Sequence, residues 1–139
     1  MIKNTSSILL TLLCLFCVVS FSQDRDATKK PPLLAFDDLK KNDGIDGPFR
    51  IEGYVLDIYK CPPCPPGAMC KPCIPDNVVI TDTAGPKDLS KINRLRIFAD
   101  KPDQFERKKK YSFTVKLKQP FPAGQAITSV DLVSFEPVK

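Results

Sequence analysis

The segment from Tyr59 to Asp76, YKCPPCPPGAMCKPCIPD, restricts the fold of this chain more than any other part of it. Residues 61–75 include four cysteines and six prolines, and Lys71 is the only charged residue among them. A proline fixes its own φ, lacks an amide hydrogen and moves the preceding residue out of the helical region. The segment therefore fits neither a helix nor the interior of a sheet. We expect a loop whose order comes from its cysteines.

The first 22 residues predict export. A lysine near the start precedes an apolar run over residues 8–19, and Ser20-Phe21-Ser22 places small residues where signal peptidase cuts. We therefore predict a signal peptide over residues 1–22, with cleavage before Gln23. A permanent membrane anchor is the weaker alternative, because the run is short and the chain turns polar directly after it.

Cleavage removes Cys14 and Cys17 and leaves four cysteines in 117 residues, the length of one domain. Neither Cys14 nor Cys17 follows a small residue, so lipid attachment is not expected. An even number of cysteines in an oxidising compartment favours disulfides. We expect an exported protein, periplasmic or secreted. The net charge of +5 implies no particular partner, and the absence of histidine removes the commonest general base and metal ligand.

Alternating apolar and polar residues predict five strands after one short helix. The helix is expected over residues 35–41, and the strands over residues 49–59, 77–82, 94–99, 111–117 and about 127–135. In the first strand the alternation of apolar and polar residues shifts by one position, which predicts a bulge or bend at Gly53. A strand bent there can pair with a neighbour on each side of a small closed barrel. The residues expected inside are Ile51, Leu95, Ile97, Phe113, Val115 and Leu117.

This order of strands, with a short insert at residues 101–107, resembles an OB-fold. FRIEGYVLDIY, NVVITD, LRIFAD and KKYSFTVKL are similar to strands one to four of that family. The resemblance implies a mainly β domain, a five-stranded OB-like barrel with a short N-terminal helix. The long loop between strands one and two, which we expect to be stapled by disulfides, departs from ordinary members of that family. We assign residues 33–139 to this domain and residues 23–32 to a linker. Function does not follow, because OB-folds bind nucleic acids, sugars and proteins.

The four loop cysteines form CxxC-x5-CxxC, which permits two alternatives to disulfides. Thiolates from Cys61, Cys64, Cys70 and Cys73 are enough for a metal ion, zinc or copper, but residues that precede proline are extended and should not curl around an ion. A thioredoxin-like redox centre also begins with a strand and a CxxC motif. That centre needs a helix after the motif, and Pro65-Pro66-Gly67 forbids one.

Disulfides between two arms of the loop fit the sequence better. Polyproline geometry rises about 3.1 Å per residue, so cysteines three apart on one arm lie about 9 Å apart, which is too far for a bond. Pro66-Gly67 is a turn signal that folds the second arm beside the first. Cys61 and Cys73 lie six residues either side of Gly67, and Cys64 and Cys70 lie three either side. The predicted bonds are therefore nested, Cys61–Cys73 and Cys64–Cys70.

Other charged and aromatic residues give weaker signals. The basic run at residues 107–110 is expected to be a solvated approach to the fourth strand. Asp57 is a candidate functional carboxylate, but a single acid where the alternation of a strand shifts usually faces solvent. Glu52 does not complete an acid–base pair with it. Single-stranded nucleic acid needs exposed stacking aromatics, and the second and third strands offer only Phe98.

Two functions from different classes follow from these patterns. The first is an exported, non-catalytic binding or interaction module without a cofactor, in which the rigid loop shapes a contact surface. Its partner would be a protein or glycan in the cell envelope or outside, not a nucleic acid, and processing would leave no membrane span. The second is a metal-handling protein that binds zinc or copper through Cys61, Cys64, Cys70 and Cys73. A count of free thiols separates the two.

Overall fold

A computed structural model describes residues 30–139 as a closed five-stranded barrel with a short helix and one short additional strand. Residues 1–29, which include the predicted signal peptide and most of the predicted linker, lie outside the described residues. The elements in chain order are β1 (Leu33–Leu34), α1 (Phe36–Lys41), β2 (Phe49–Tyr59), β3 (Asn77–Thr81), β4 (Arg94–Phe98), a 3-10 helix (Pro102–Gln104), β5 (Lys110–Lys116) and β6 (Ser129–Pro137).

The barrel closes because β2 is long enough to pair on both sides. Its first half, from Phe49 to Tyr54, is antiparallel to β5, and its second half, from Tyr54 to Tyr59, is antiparallel to β3. The strand order is β2-β3-β4-β6-β5 and back to β2, and only the β4–β6 pair is parallel within this ring. The predicted mainly β fold class and the closed barrel are confirmed, and the arrangement is compatible with an OB-like fold.

The bulge in β2 lies further along the strand than predicted. The alternation of buried residues continues unchanged through Gly53 to Val55, and the register shifts between Val55 and Asp57. The prediction of a bulge at Gly53 is therefore wrong. Gly53 serves a different purpose: a Cβ atom there would lie 2.9 Å from Cδ1 of Ile80 and 3.1 Å from the carbonyl oxygen of Thr81. The absent side chain lets β2 and β3 approach closely.

The core lies inside this ring of strands. Ile51, Leu95, Ile97, Phe113 and Val115 are fully buried, as the alternation predicts. Leu117 was also expected inside, but it follows the end of β5 and is only half-buried at the rim. The sequence pattern gave no reason to place Phe105 in the core. The turn after the 3-10 helix buries its ring 4.6 Å from that of Phe135 and 5.4 Å from that of Tyr111, centroid to centroid.

Two strands differ from the predictions, whereas the insert between β4 and β5 is short, as expected. β1 pairs in parallel with residues 50–51 of β2 and was not predicted, because two residues are too few to show a period. The insert at residues 101–107 holds a single 3-10 turn. The last strand begins at Ser129, since the amide of Ile127 donates to the carbonyl of Leu39, 2.9 Å away, and is not part of β6. Within residues 30–139, no helix has the length and apolar character needed to cross a membrane.

The loop between β5 and β6 is fastened to the helix by a buried asparagine. Asn42 ends α1 in the left-handed region at φ 42°, and its side chain is almost fully buried. Its Nδ2 group donates to the carbonyls of Pro122 and Gln125 at 2.9 and 3.0 Å. The backbone carbonyl of Asn42 accepts a hydrogen bond from the amide of Gly124 at 3.1 Å. This loop therefore takes its order from hydrogen bonds to the domain.

Candidate functional site: the cysteine loop

The cysteine loop, residues 60–76, connects β2 to β3 at one end of the barrel. Tyr59 pairs with Asn77 in the last register of the two strands. Beyond this pair, the carboxylate of Asp76 accepts the amide of Cys61 at 2.8 Å, and Asn77 donates its Nδ2 group to the carbonyl of Pro75 at 2.7 Å. These side-chain bonds close the base of the loop. Asp76 was not among the residues singled out from the sequence, although aspartate side chains commonly bond to backbone amides in turns.

Two disulfides join the arms of the loop. They connect Cys61 to Cys73 and Cys64 to Cys70, which is the nested arrangement. The Cα atoms of the two pairs are 6.0 and 5.9 Å apart, within the range of ordinary disulfides. Because the two separations are nearly equal, the arms run side by side at constant distance. The loop is thus a ladder with two covalent rungs.

A tight turn forms the tip of the ladder. The amide of Ala68 donates to the carbonyl of Pro65 at 3.1 Å, and Gly67 has φ +80°. A type II turn requires this positive φ at its third residue and favours proline at its second, which is where Pro66 stands. The Pro-Gly pair therefore reverses the chain midway between the cysteines, as predicted.

Within the described chain, the interior of the ladder lacks the backbone hydrogen bonds of a hairpin. Between Pro62 and Ile74, the only backbone hydrogen bond is that of the tip turn. Prolines supply no amide donors, and each peptide bond in residues 30–139 is trans. Residues that precede prolines favour extended backbone, so the proline-rich first arm is expected to be polyproline-like. Covalent rungs take the place of the missing ladder bonds.

The ladder presents almost its whole surface to solvent. Each residue from 62 to 75 is exposed, and Met69 near the tip is fully exposed. Ile74 on the second arm and Tyr59 at the base are further exposed apolar side chains. Lys60 at the base is paired with Asp103, with 3.4 Å between Nζ and Oδ2. An open groove of about 720 Å³ is lined by residues 61–65 of the first arm and 70–73 of the second.

This covalent state governs what the cysteines can do chemically. All four sulfurs are bonded in pairs, so none is a thiolate that could bind a metal or attack a disulfide. In the part of the chain that the structure describes, no group of three or more cysteines or carboxylates is placed to hold a metal ion. The chain after Cys64 enters the turn and not a helix, so it lacks the helix N-terminus that lowers the pKa of a redox-active thiol.

The other charged candidates lie apart from the ladder and from each other. Asp57 stands at the bulge of β2, and Arg107 donates to its carboxylate at 2.9 Å. This hydrogen bond lowers the pKa of Asp57 below its ordinary value, against a smaller opposing effect of desolvation. Glu52 instead pairs with Lys110 at 2.7 Å, and that hydrogen bond raises the pKa of Lys110. Asp57 and Glu52 therefore have separate cationic partners.

The basic run at residues 107–110 is occupied largely by these ion pairs. Arg107 pairs with Asp57, Lys110 with Glu52, and Lys109 with Glu106 at 2.9 Å. Phe98, the aromatic residue noted on the third predicted strand, is half-buried, and the Nζ atom of Lys118 lies 5.6 Å from its ring centre. These residues join the segments around β5 to the rest of the barrel.

The chain matches no protein-family model, and comparison with curated proteins and with solved structures finds none that is significantly similar.

Proposed function

We propose that the protein is an exported, non-catalytic binding module that uses the cysteine loop as its contact surface. The observation that carries this proposal is the combination of two covalent rungs with solvent exposure of every residue from 62 to 75. A loop that is ordered before it meets its partner loses less conformational entropy on binding than a flexible one. The partner would be a protein or a glycan, not a nucleic acid.

The loop carries the features of an anchor for such a contact. Met69 and Ile74 expose apolar side chains on the loop, and Lys71 is the only charged residue within residues 61–75. Exposed apolar side chains lose water when a partner covers them, and methionine adapts its shape to irregular surfaces. The disulfides support a compartment outside the cytoplasm, since they persist in oxidising surroundings. The predicted signal peptide over residues 1–22 and the disulfides both agree with a location in the cell envelope.

A photo-crosslinking experiment tests the proposal at the loop itself. Met69 is the only methionine after Met1, so a photoreactive methionine analogue places one crosslinker at the tip of the processed chain. We expect one envelope component to be crosslinked reproducibly. An excess of unlabelled chain should compete for this component, whereas unlabelled chain in which a short turn replaces residues 61–75 should not. The matched control is Met69→Leu combined with Leu89→Met, which moves the crosslinker to an exposed site outside the loop. Equal crosslinking from position 89 would contradict the proposal.

A metal-handling function for Cys61, Cys64, Cys70 and Cys73 is the alternative, and it requires these cysteines to be thiolates in the exported protein. Thiol titration of protein purified without reductant separates the two functions. We expect no free thiol and no bound zinc or copper. Four titratable thiols together with a stoichiometric metal would instead establish the alternative.

A further inference from the structure

A small cavity lies beside the bulge of β2. Its volume is about 220 Å³, and its lining comes from residues 54–56 of β2, from four residues between positions 81 and 86, and from residues 107–108. The lining includes no residue of the cysteine loop at residues 60–76. The cavity is therefore separate from the contact surface proposed above.

Burial divides the lining of this cavity into a floor, walls and a rim. Val55 and Thr81 are buried, so they form the floor. Arg107 and Lys108 are exposed, so they lie at the rim. The walls are half-buried and largely apolar, and they consist of Tyr54, Leu56 and Pro86. The cavity thus combines an apolar interior with a cationic opening.

The rim carries one positive charge that the chain leaves unmatched. Arg107 donates to the carboxylate of Asp57 at 2.9 Å, and a guanidinium keeps further N–H donors beyond that bond. Lys109, the next residue after the rim, pairs with Glu106. Within residues 30–139, Lys108 forms no ion pair. An uncompensated cation beside an apolar cavity attracts an anion.

The backbone of Lys108 provides a second, independent observation. Its φ of 67° lies in the left-handed region, at the third residue of a turn that the amide of Lys109 closes on the carbonyl of Glu106 at 3.3 Å. The amide of Lys108 donates to the carbonyl of Val55 at 2.7 Å, which holds the turn against β2. Glycine adopts this conformation without cost, whereas lysine does not. Backbone outliers of this kind concentrate at functional sites.

We propose that this cavity binds a small organic carboxylate, with the apolar body of the ligand between the walls and its carboxylate at the cationic rim. Drug-sized ligands occupy clefts of about 300–1,000 Å³, whereas an apolar cavity of about 150 Å³ holds one benzene molecule. A cavity of about 220 Å³ therefore suits one aromatic ring or a short alkyl chain. The inference does not depend on the function proposed for the cysteine loop.

An NMR titration of the oxidised, processed chain tests the inference with matched probes. Phenylacetate and hexanoate carry both an apolar body and a carboxylate, phenylacetamide lacks the charge, and acetate lacks the apolar body. We expect at least one of the first two to shift the amide signals of Leu56, Thr81 and Lys108 with a Kd tighter than about 1 mM. Phenylacetamide and acetate should each bind about tenfold more weakly. Absence of such binding by both carboxylates, or equal binding of phenylacetamide, would overturn the inference.

Substitutions of neighbouring lysines separate the site from general charge attraction. Lys108→Gln should weaken binding about tenfold, because it removes the unmatched charge at the rim. The matched control is Lys109→Gln, which removes the same charge from the same turn but does not line the cavity, and it should leave the Kd within about twofold. Equal weakening by the control would contradict the inference.

A glycine variant tests whether the chain holds this lysine at a cost in stability. Lys108→Gly should weaken binding as much as Lys108→Gln and should raise the Tm by about 3 °C, because glycine adopts the positive φ without strain. Circular dichroism during heating measures the Tm. A Tm that stays the same or falls would show that the left-handed backbone of Lys108 is not strained and would remove that support for the site.

Discussion

In the barrel, Phe113 and Val115 are fully buried and each strand has hydrogen-bonded neighbours, whereas in the cysteine loop each residue from 62 to 75 is exposed. The barrel is ordered by burial of apolar surface and by backbone ladders. The loop has one backbone hydrogen bond between Pro62 and Ile74 and is ordered by two disulfides and by proline. The difference teaches that one short chain can hold a second ordered surface without enlarging its core. The two regions should accordingly fail under different perturbations.

The largest effect is expected in the barrel core. Phe113→Ala should lower the free energy of unfolding by about 3–5 kcal/mol, because the ring is fully buried and its removal leaves a cavity. Val133→Ala on β6 is the control, since that side chain is about half exposed, and it should change stability by less than about 0.5 kcal/mol. Urea denaturation measures both. A loss under about 1 kcal/mol for Phe113→Ala would show that the packing argument is wrong.

The next effect tests the independence of the loop. Replacing Cys61 and Cys73 with serine should lower stability by about 3 kcal/mol at most, because the denatured chain regains the freedom of a loop of about 13 residues. Replacing Cys64 and Cys70 should cost less, since the outer bond still confines their ends. In both variants the amide spectrum of β5 should remain that of a folded barrel.

Peptide mapping without reduction accompanies the serine variants. The wild-type chain should yield Cys61 linked to Cys73 and Cys64 linked to Cys70. Recovery of Cys61 linked to Cys64 would overturn the ladder, and unfolding of β5 in either variant would show that the two regions are not independent.

Asn42 provides an intermediate case, because it orders the loop between β5 and β6 by hydrogen bonds. Asn42→Ala should cost about 2 kcal/mol, since it removes both bonds from Nδ2 and leaves an alanine at positive φ. Hydrogen exchange at the amides of Gly124 and Ile127 should accelerate more than exchange in β4. Asn93→Ala, which removes a more exposed bond to Asp82, should have a smaller effect on stability. Equal effects would show that burial of Asn42 contributes nothing.

The smallest effect concerns the surface pair of Asp57 and Arg107. The lowered pKa of Asp57 means that its contribution is present above the pKa of the unfolded chain and is lost as pH falls through the folded pKa. Because both side chains are more than half exposed, the contribution should be under about 0.5 kcal/mol. Asp57→Asn should therefore lower stability slightly at pH 7 and match the wild type near pH 2. A difference that persists at pH 2 would exclude the carboxylate as its cause.

The sequence predicted those features that follow from local chemistry. The alternation at residues 111–117 located β5 within one residue, and the prolines with Gly67 predicted a loop with a turn at its tip. Features that depend on contacts between residues far apart in the chain could not be predicted from the sequence. The need for Gly53 arises from Ile80 on the next strand, and the burial of Phe105 arises from rings on β5 and β6. Likewise, the pairing of Asp57 with Arg107 joins residues fifty positions apart.

The outer rung has a consequence for force. A pull along the chain reaches Cys61 and leaves from Cys73, and the covalent bond between them carries the tension past the tip. The two arms beyond this bond would stay slack and keep their shape while β2 and β3 are strained. A partner held at the tip would thus remain attached to an undeformed surface until the barrel itself unravels. When the chain is pulled from both ends, this bond separates the shape of the loop from the stability of the fold.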